Sequence, residues 1–210
     1  MIVDEAQARA FVAERCDADA LDRLEDFAET LREENGRQNL VSAASLSTIW
    51  QRHIADSAQL LDHLPAGHNG PWMDLGTGAG FPGLVIAAMR PGLEVELVES
   101  RRLRIDWLER CKEALHLANC TVIGSRLELV PDHKVNVLSA RAFAPLPKLV
   151  ALARRFSTGD TVWLLPKGRS AEQEVAELPK RLRPMFHVEH SVSDPEAGIV
   201  VGKVAEGSGR

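Results

Sequence analysis

The sequence predicts an α/β fold: a mostly parallel sheet with an antiparallel last strand, helices on both faces, and a helical extension at its N-terminal side. Three observations carry this. From residue 72 onward, apolar runs of strand length alternate with amphipathic stretches, as parallel strands joined by crossover helices do. Residues 4–64 instead show only the three-to-four spacing of helices. The last two apolar runs are joined by residues 193–198, too short a link for a crossover, so they pair antiparallel.

In the extension, Leu21, Leu24, Phe27, Ala28 and Leu31 make one apolar stripe opposite acidic residues, and Asp17 or Asp19 is placed to cap that helix. Gly36 is expected to end it. Residues 39–42 then connect to a second helix running from near Ser47 through Ile49, Trp50, Ile54 and Leu61. The Pro- and Gly-rich stretch 65–71 marks a boundary. The organisation expected is an extension over 1–66 packed on a main domain over 67–205, with a flexible tail at 206–210.

Beyond the boundary, strand 72–75 leads to helix 82–90 with Pro82 in its first turn, then to strand 93–99. Ser100 is expected to cap the next helix. Its buried stripe is Leu103, Trp107, Leu108, Cys111 and Leu115, with Arg101, Arg102, Arg104, Arg110 and Lys112 mostly outside. Strands 121–123 and 135–140, helix 146–156, strand 161–165, a capped helix near Ser170, and strands 186–192 and 199–204 complete the pattern.

With 210 residues, 45% hydrophobic and 26% charged, the chain is neither disordered nor collagen-like and can enclose a core. A net charge of -5 argues against coating nucleic acid by bulk charge. The charge is unevenly spread, however: residues 1–70 carry 13 acidic and 6 basic side chains, and residues 71–210 carry 17 and 19, so a polyanion would meet the second part. Cys16, Cys111 and Cys120 are odd in number and form no C-x-x-C pair, which indicates neither a disulfide framework nor a metal site and fits a reducing cytoplasm. The start has no basic and apolar leader pattern, and no run approaches the ~18 apolar residues of a membrane span, so neither export nor a membrane partner is expected.

The sharpest motif is the glycine-rich stretch from Asp74 to Gly83, between the first strand and first helix of the alternating region. Gly76, Gly78 and Gly80 free this turn of side chains, so that backbone can approach a ligand at the carboxyl end of parallel strands. A dinucleotide fingerprint requires a small residue where Phe81 stands, which weakens the NAD reading. Asp74 would repel a pyrophosphate and attract a ligand carrying ammonium and sulfonium charges, which describes S-adenosylmethionine. Glu99 ends the second strand, where ribose hydroxyls lie in either case. Together with the antiparallel end of the sheet, these features favour a class I (Rossmann-like) methyltransferase.

Two more strand ends reach the same edge. Ser125-Arg126-Leu127-Glu128 has ligand-loop placement and also the spacing of a capping box. Arg141 is either a ligand at the substrate end of the sheet or a snorkelling surface arginine.

With Asn39-Leu40, Arg52-His53-Ile54-Ala55-Asp56-Ser57, the glycine turn, Ser125-Arg126 with Glu128, Arg141-Ala142-Phe143-Ala144 and Lys167-Gly168, the chain resembles the bacterial small-subunit rRNA guanine-N7 methyltransferases, the glucose-inhibited division protein B family. The resemblance covers most of the chain. It departs at Glu34-Asn35, where relatives usually carry Trp-Asn, and at Val41-Ser42, where they carry Thr-Ser. It implies S-adenosylmethionine contacts at Gly76, Phe81, Leu127, Glu128 and Arg141, with Asp74, Gly78, Gly80 and Glu99 lining the same pocket. It also implies a monomer that acts on a guanine of 16S rRNA near the decoding centre, as free RNA or in a 30S particle.

The residues agree with that chemistry. Guanine N7 offers a lone pair and no proton, so methyl transfer requires alignment and no general base. Arg141 is then a positioning group, toward guanine O6 or a phosphate but not N7 itself. Lys148, Arg154, Arg155, Lys167 and Arg169 are candidates for holding the RNA backbone, or simply a solvated face. His53 with Arg52 and Asp56 reads as a hydrogen-bonded cluster tying the extension to the pocket. Two other readings stand beside this one: a ribosome-assembly module with a cofactor pocket but no turnover, and an NAD-dependent oxidoreductase.

Overall fold

The computed structural model describes residues 1–65 and 67–204; the tail expected at 206–210 lies outside them. Among the described residues the strands are β1 (Trp72–Leu75), β2 (Val95–Glu99), β3 (Cys120–Gly124), β4 (Val137–Ser139), β5 (Val162–Gly168), β6 (Phe186–His190) and β7 (Gly198–Lys203). They form one sheet in the order β3-β2-β1-β4-β5-β7-β6. Strands β1 to β5 pair parallel, and β7 inserts antiparallel between β5 and β6, as the short link before it requires. The chain runs from β1 outward through β2 and β3 and then returns to β4 on the other side of β1. This reversal opens a crevice above the carboxyl ends of β1 and β4.

The helices are α1 (Glu5–Ala13), α2 (Ala18–Gln38), α3 (Ala43–Leu46), α4 (Asp56–Ala58), α5 (Gly83–Met89), α6 (Arg102–Ala114), α7 (Leu146–Ala153) and α8 (Ala171–Glu177). Helix α4 is the middle of one continuous segment, wound as a π-helix over Trp50–Ala55 and as a 3-10 turn over Gln59–His63. Asp17 caps α2 by accepting the Ala20 N–H at 2.8 Å. Gly36 does not end α2, which continues to a left-handed Asn39. Glycine costs about 1 kcal/mol against alanine inside a helix; burial of Leu31 and the hydrogen bonds that Glu34 accepts from Gln38 and Arg110 and Asn35 from the Val41 N–H hold the helix through it.

Ser100 does not cap α6. No side chain caps it; the Glu99 carboxylate instead binds the residues just before it, accepting the Ser100 and Arg101 N–H groups at 2.7 and 2.9 Å. Leu103 stays 67% exposed, and Ile105, lying against Gly124, makes the first inward contact of α6. Ser125 forms no capping box, because its hydroxyl turns to the Arg126 carbonyl. Ser170 precedes α8 without capping its backbone; its hydroxyl bonds the Lys167 carbonyl and Glu174. Strand β5 runs past Leu165 to Gly168 because β7 pairs along it that far.

Apolar faces of α1, α2 and the helical segment after Ile49 merge with Trp72, Leu84, Leu97 and Trp107 into one cluster on one side of the sheet. Leu149, Leu178, Leu138 and Trp163 fill the other side beneath α7 and α8. The extension is also clipped to the loop between β6 and β7. Ile2 N–H donates to the Val192 carbonyl at 2.8 Å, Gln59 accepts the Val192 N–H at 2.8 Å, and the Gln51 amide donates to the Ser193 carbonyl at 3.1 Å.

Candidate functional site

Strand β1 ends beneath the glycine turn. Gly76 has φ 65°, and a Cβ there would stand 2.3 Å from the Phe143 ring; Gly80 has φ 107° and would meet Leu84 at 2.3 Å. Only glycine satisfies both conformation and space at these two points. Asp74 lies fully buried under the turn, with Oδ1 accepting the Ser139 hydroxyl at 2.7 Å and Oδ2 the Gly83 N–H at 3.0 Å. Trp72 Nε1–H in turn donates to Ser139 at 2.7 Å. Burial pushes the Asp74 carboxyl up, and the hydrogen bonds from Ser139 and Gly83 oppose that. The expectation that Asp74 lines the pocket is therefore corrected: as the penultimate residue of β1 it points under the turn and braces α5 against β4.

Above the turn is a cavity of about 370 Å³. Of the residues expected there, Gly76, Gly78, Phe81, Glu99, Leu127 and Arg141 line it. Gly80 faces Leu84 instead, and Glu128 is exposed, outside the lining. Glu99 is 7% exposed, and its Oε2 also accepts the Gly78 N–H at 3.2 Å, tying the end of β2 to the turn. Sequence reasoning missed Leu40, Arg101, Arg104 and Phe143. Arg104 was hidden among the arginines of α6 read as its outer face; its Nη1 lies 2.9 Å from where a Cβ on Gly78 would be. The volume falls within the usual range for small-ligand sites. A turn without side chains, a strand-end carboxylate and apolar Leu40, Phe81 and Leu127 together suit a nucleoside.

A second cavity, of about 710 Å³, adjoins the first, and the two share Arg141, Ala142 and Phe143. Arg141 Nη1 donates to His53 Nδ1 at 2.9 Å and lies 3.9 Å from Asp56 Oδ2. Its guanidinium sits 4.9 Å from the centre of the Phe81 ring, which stacks on His53 at 4.8 Å and packs against Phe27 at 5.2 Å. The bulky residue of the turn thus docks on the extension, not on α5. Burial, then the charges of Arg141 and Arg52, pull His53 down to about 3, so the ring is neutral and accepts at Nδ1. Burial lowers Arg141 from the usual arginine range while Asp56 and Asp74 oppose it; the group remains charged. Burial pushes Asp56 up, against Arg141 and the Ser193 hydroxyl. Arg52 binds Asp194 at 2.5 Å, a partner in the β6–β7 loop that read only as a turn.

The predicted basic residues scatter. Lys148 is exposed on α7. Arg154 and Arg155 follow α7 toward the amino-terminal ends of β4 and β5, where the Phe156 carbonyl accepts from Val135 ahead of β4. Arg155 also pairs with Asp132 and donates to the Leu127 carbonyl at 2.5 Å. Lys167 lines the larger cavity, but its side chain is 6% exposed and engaged with Glu174 at 2.9 Å and the Ala144 carbonyl at 2.7 Å. Arg169 is exposed and paired with Glu196. Arg155, Lys167 and Arg169 are thus each engaged by a protein carboxylate. Among the described residues no group of three or more His, Cys, Asp or Glu side chains is placed to hold a metal ion, and no helix is long and apolar enough to cross a membrane.

Residues 20–196 match the family described as rRNA small subunit methyltransferase G. The ribosomal RNA small subunit methyltransferase G of Erythrobacter litoralis is 59% identical over 203 residues, covering 97% of this chain and 98% of the relative. Its namesake from Novosphingobium aromaticivorans is 50% identical over 210 residues, covering 98% and 91%. Among solved structures, a SAM dependent methyltransferase from Aquifex aeolicus aligns with a TM-score of 0.59 at 16% identity, covering 80% of this chain and 96% of that one. At that identity the likeness speaks to the fold, that of the class I methyltransferases.

Proposed function

Because the chain belongs to the rRNA small subunit methyltransferase G family, we propose that it transfers the methyl group of S-adenosylmethionine to N7 of one guanine in the 16S RNA of the small ribosomal subunit. The observation that carries this reading is the junction of the two cavities at Arg141–Ala142–Phe143: one is suited to a nucleoside cofactor, and the other is open to an acceptor. In the first, Glu99 would accept from ribose hydroxyls, the backbone of Gly76 and Gly78 would border the amino-acid tail, and Leu40, Phe81 and Leu127 would flank the base. S-adenosylmethionine supplies an electrophilic methyl on sulfur.

The chain's own residues have to orient the acceptor and exclude competing groups. Guanine N7 has no proton to remove, so no base is needed, and the reacting atoms must be held about 3–3.5 Å apart. His53 suits this arrangement, because it is neutral and its Nδ1 is occupied by Arg141. In this reading the enzyme acts as a monomer in the cytoplasm, where the subunit is assembled.

The test uses labelled cofactor with small subunits, and separately with bare 16S rRNA, both from cells lacking the activity. One guanine should acquire 7-methylguanosine. Calorimetry should show binding of S-adenosylhomocysteine and none of NADH. Unlabelled rRNA in the presence of a cofactor-binding protein would defeat the proposal and favour an assembly role without turnover.

A further inference from the structure

The acceptor cavity holds three cations and three carboxylates. Arg52 meets Asp194 at 2.5 Å, Lys167 meets Glu174 at 2.9 Å, and Arg141 stands 3.9 Å from Asp56. Such balance suits an uncharged, hydrogen-bonding base; a phosphate would call for surplus positive charge.

Two of the three carboxylates carry a donor on each oxygen. Glu174 accepts from Lys167 and the Leu146 N–H on one oxygen and from the Ser170 hydroxyl on the other. Asp194 accepts from Arg52 on one and from the Glu196 N–H on the other. Asp56 differs. Its Oδ1 accepts the Ser193 hydroxyl at 2.6 Å and the Gln59 amide at 2.9 Å, but Oδ2 receives no hydrogen bond among the described residues. Arg141, at 3.9 Å, is beyond hydrogen-bond range. The side chain keeps 18% of its surface open and lines the cavity. A carboxylate oxygen held in place by two donors on its twin and lacking one itself is an acceptor awaiting an N–H.

We propose that Asp56 and Arg141 together read the target base as guanine: Arg141 donates to O6, and Asp56 Oδ2 accepts from N1–H and the 2-amino group. The inference rests on the reading above, that guanine N7 is the acceptor. O6 lies between N7 and N1 on the purine rim, so a base held this way keeps N7 free of protein donors and turned toward the junction with the cofactor cavity. Adenine presents the opposite pattern, with an amino group toward the guanidinium and a lone pair at N1 toward the carboxylate. One pair of side chains thereby discriminates twice, and sites built to bond a polar edge reject analogues lacking it far more strongly than apolar sites do.

The test compares small subunits reconstituted with guanine, inosine or 2-aminopurine at the target position. Inosine keeps O6 and N1–H; 2-aminopurine keeps N7 and the 2-amino group but lacks both. Wild-type kcat/KM should fall for inosine, which loses only the 2-amino contact, and fall further, at least about 100-fold, for 2-aminopurine. With Asp56→Asn the preference for guanine over 2-aminopurine should collapse to below about tenfold. A merely structural Asp56 would lower both rates together and leave the ratio unchanged, which would overturn the proposal. If Asp56→Asn does not fold, the wild-type comparison decides alone, since equal use of guanine and 2-aminopurine, or of guanine and inosine, also overturns it. Failure to methylate guanine itself brings down the functional reading and this inference with it, whereas methylation without discrimination brings down this inference only.

Discussion

The candidate cofactor cavity is walled mainly by turns that close directly on the ends of β1 and β2, whereas the candidate acceptor cavity is assembled from four distant stretches, residues 42–56, 141–145, 166–174 and 191–199. The first is braced from below by a buried chain of hydrogen bonds, Trp72 to Ser139 to Asp74, which also holds Gly83. The second depends on side-chain clips between the extension and the β6–β7 loop. The first cavity thus rests on the sheet's central strands, and the second also on side-chain clips outside the sheet.

The sharpest way to break this contrast is Asp74→Ala, which strands two buried donors. At roughly 1–3 kcal/mol each, it should cost about 4 kcal/mol of global stability in denaturant titration, and a loss confined to RNA methylation would contradict it. Gly76→Val places a branched side chain at φ 65° against Phe143; S-adenosylhomocysteine affinity should drop about 100-fold by calorimetry, given the 1–2 kcal/mol left-handed penalty plus the clash. Gln59→Ala cuts the clip at Val192. Here about 2 kcal/mol of local stability is expected to go, seen as faster amide exchange around 191–194 and a raised KM for subunits, with cofactor affinity within about twofold.

Acid separates the sides further. An unfolded His53 takes up a proton near 6.5 while the folded ring resists until about 3, so its contribution is complete above 6.5 and is lost as pH falls toward 3. The slope is at most about 1.4 kcal/mol per pH unit. Asp56 and Asp74, raised by burial, pull the other way, so the measurement is the difference in slope between wild type and His53→Asn, which should lack the histidine part. The smallest effect belongs to Arg154→Ala, toward the amino-terminal ends of β4 and β5: stability within about 0.5 kcal/mol and an unchanged KM for subunits.

The same contrast governs what could be read from the residues. The alternation of strands and helices, the glycine turn and Glu99 are local patterns, and the structure has them at the expected places. Asp194 and Ser193 were illegible because a six-residue turn gives no hint of what it meets from a segment 137 or more positions away. Arg104 was misread because helical periodicity separates inside from outside but does not show that the first turn of α6 overhangs a cavity. Lys167 looked like a free cation, since its partner Glu174 becomes a neighbour only after β5 turns into α8. Phe81 read only as too large for a dinucleotide turn; its stacking on His53 required the extension to be in place.

The bond from Ile2 to Val192, with those from Gln51 and Gln59 to the same loop, also fixes an order of events. Chains leave the ribosome N-terminus first, so the residues lining the smaller cavity are all made before the β6–β7 loop that completes the larger one. The larger cavity is therefore among the last parts of the molecule to be finished.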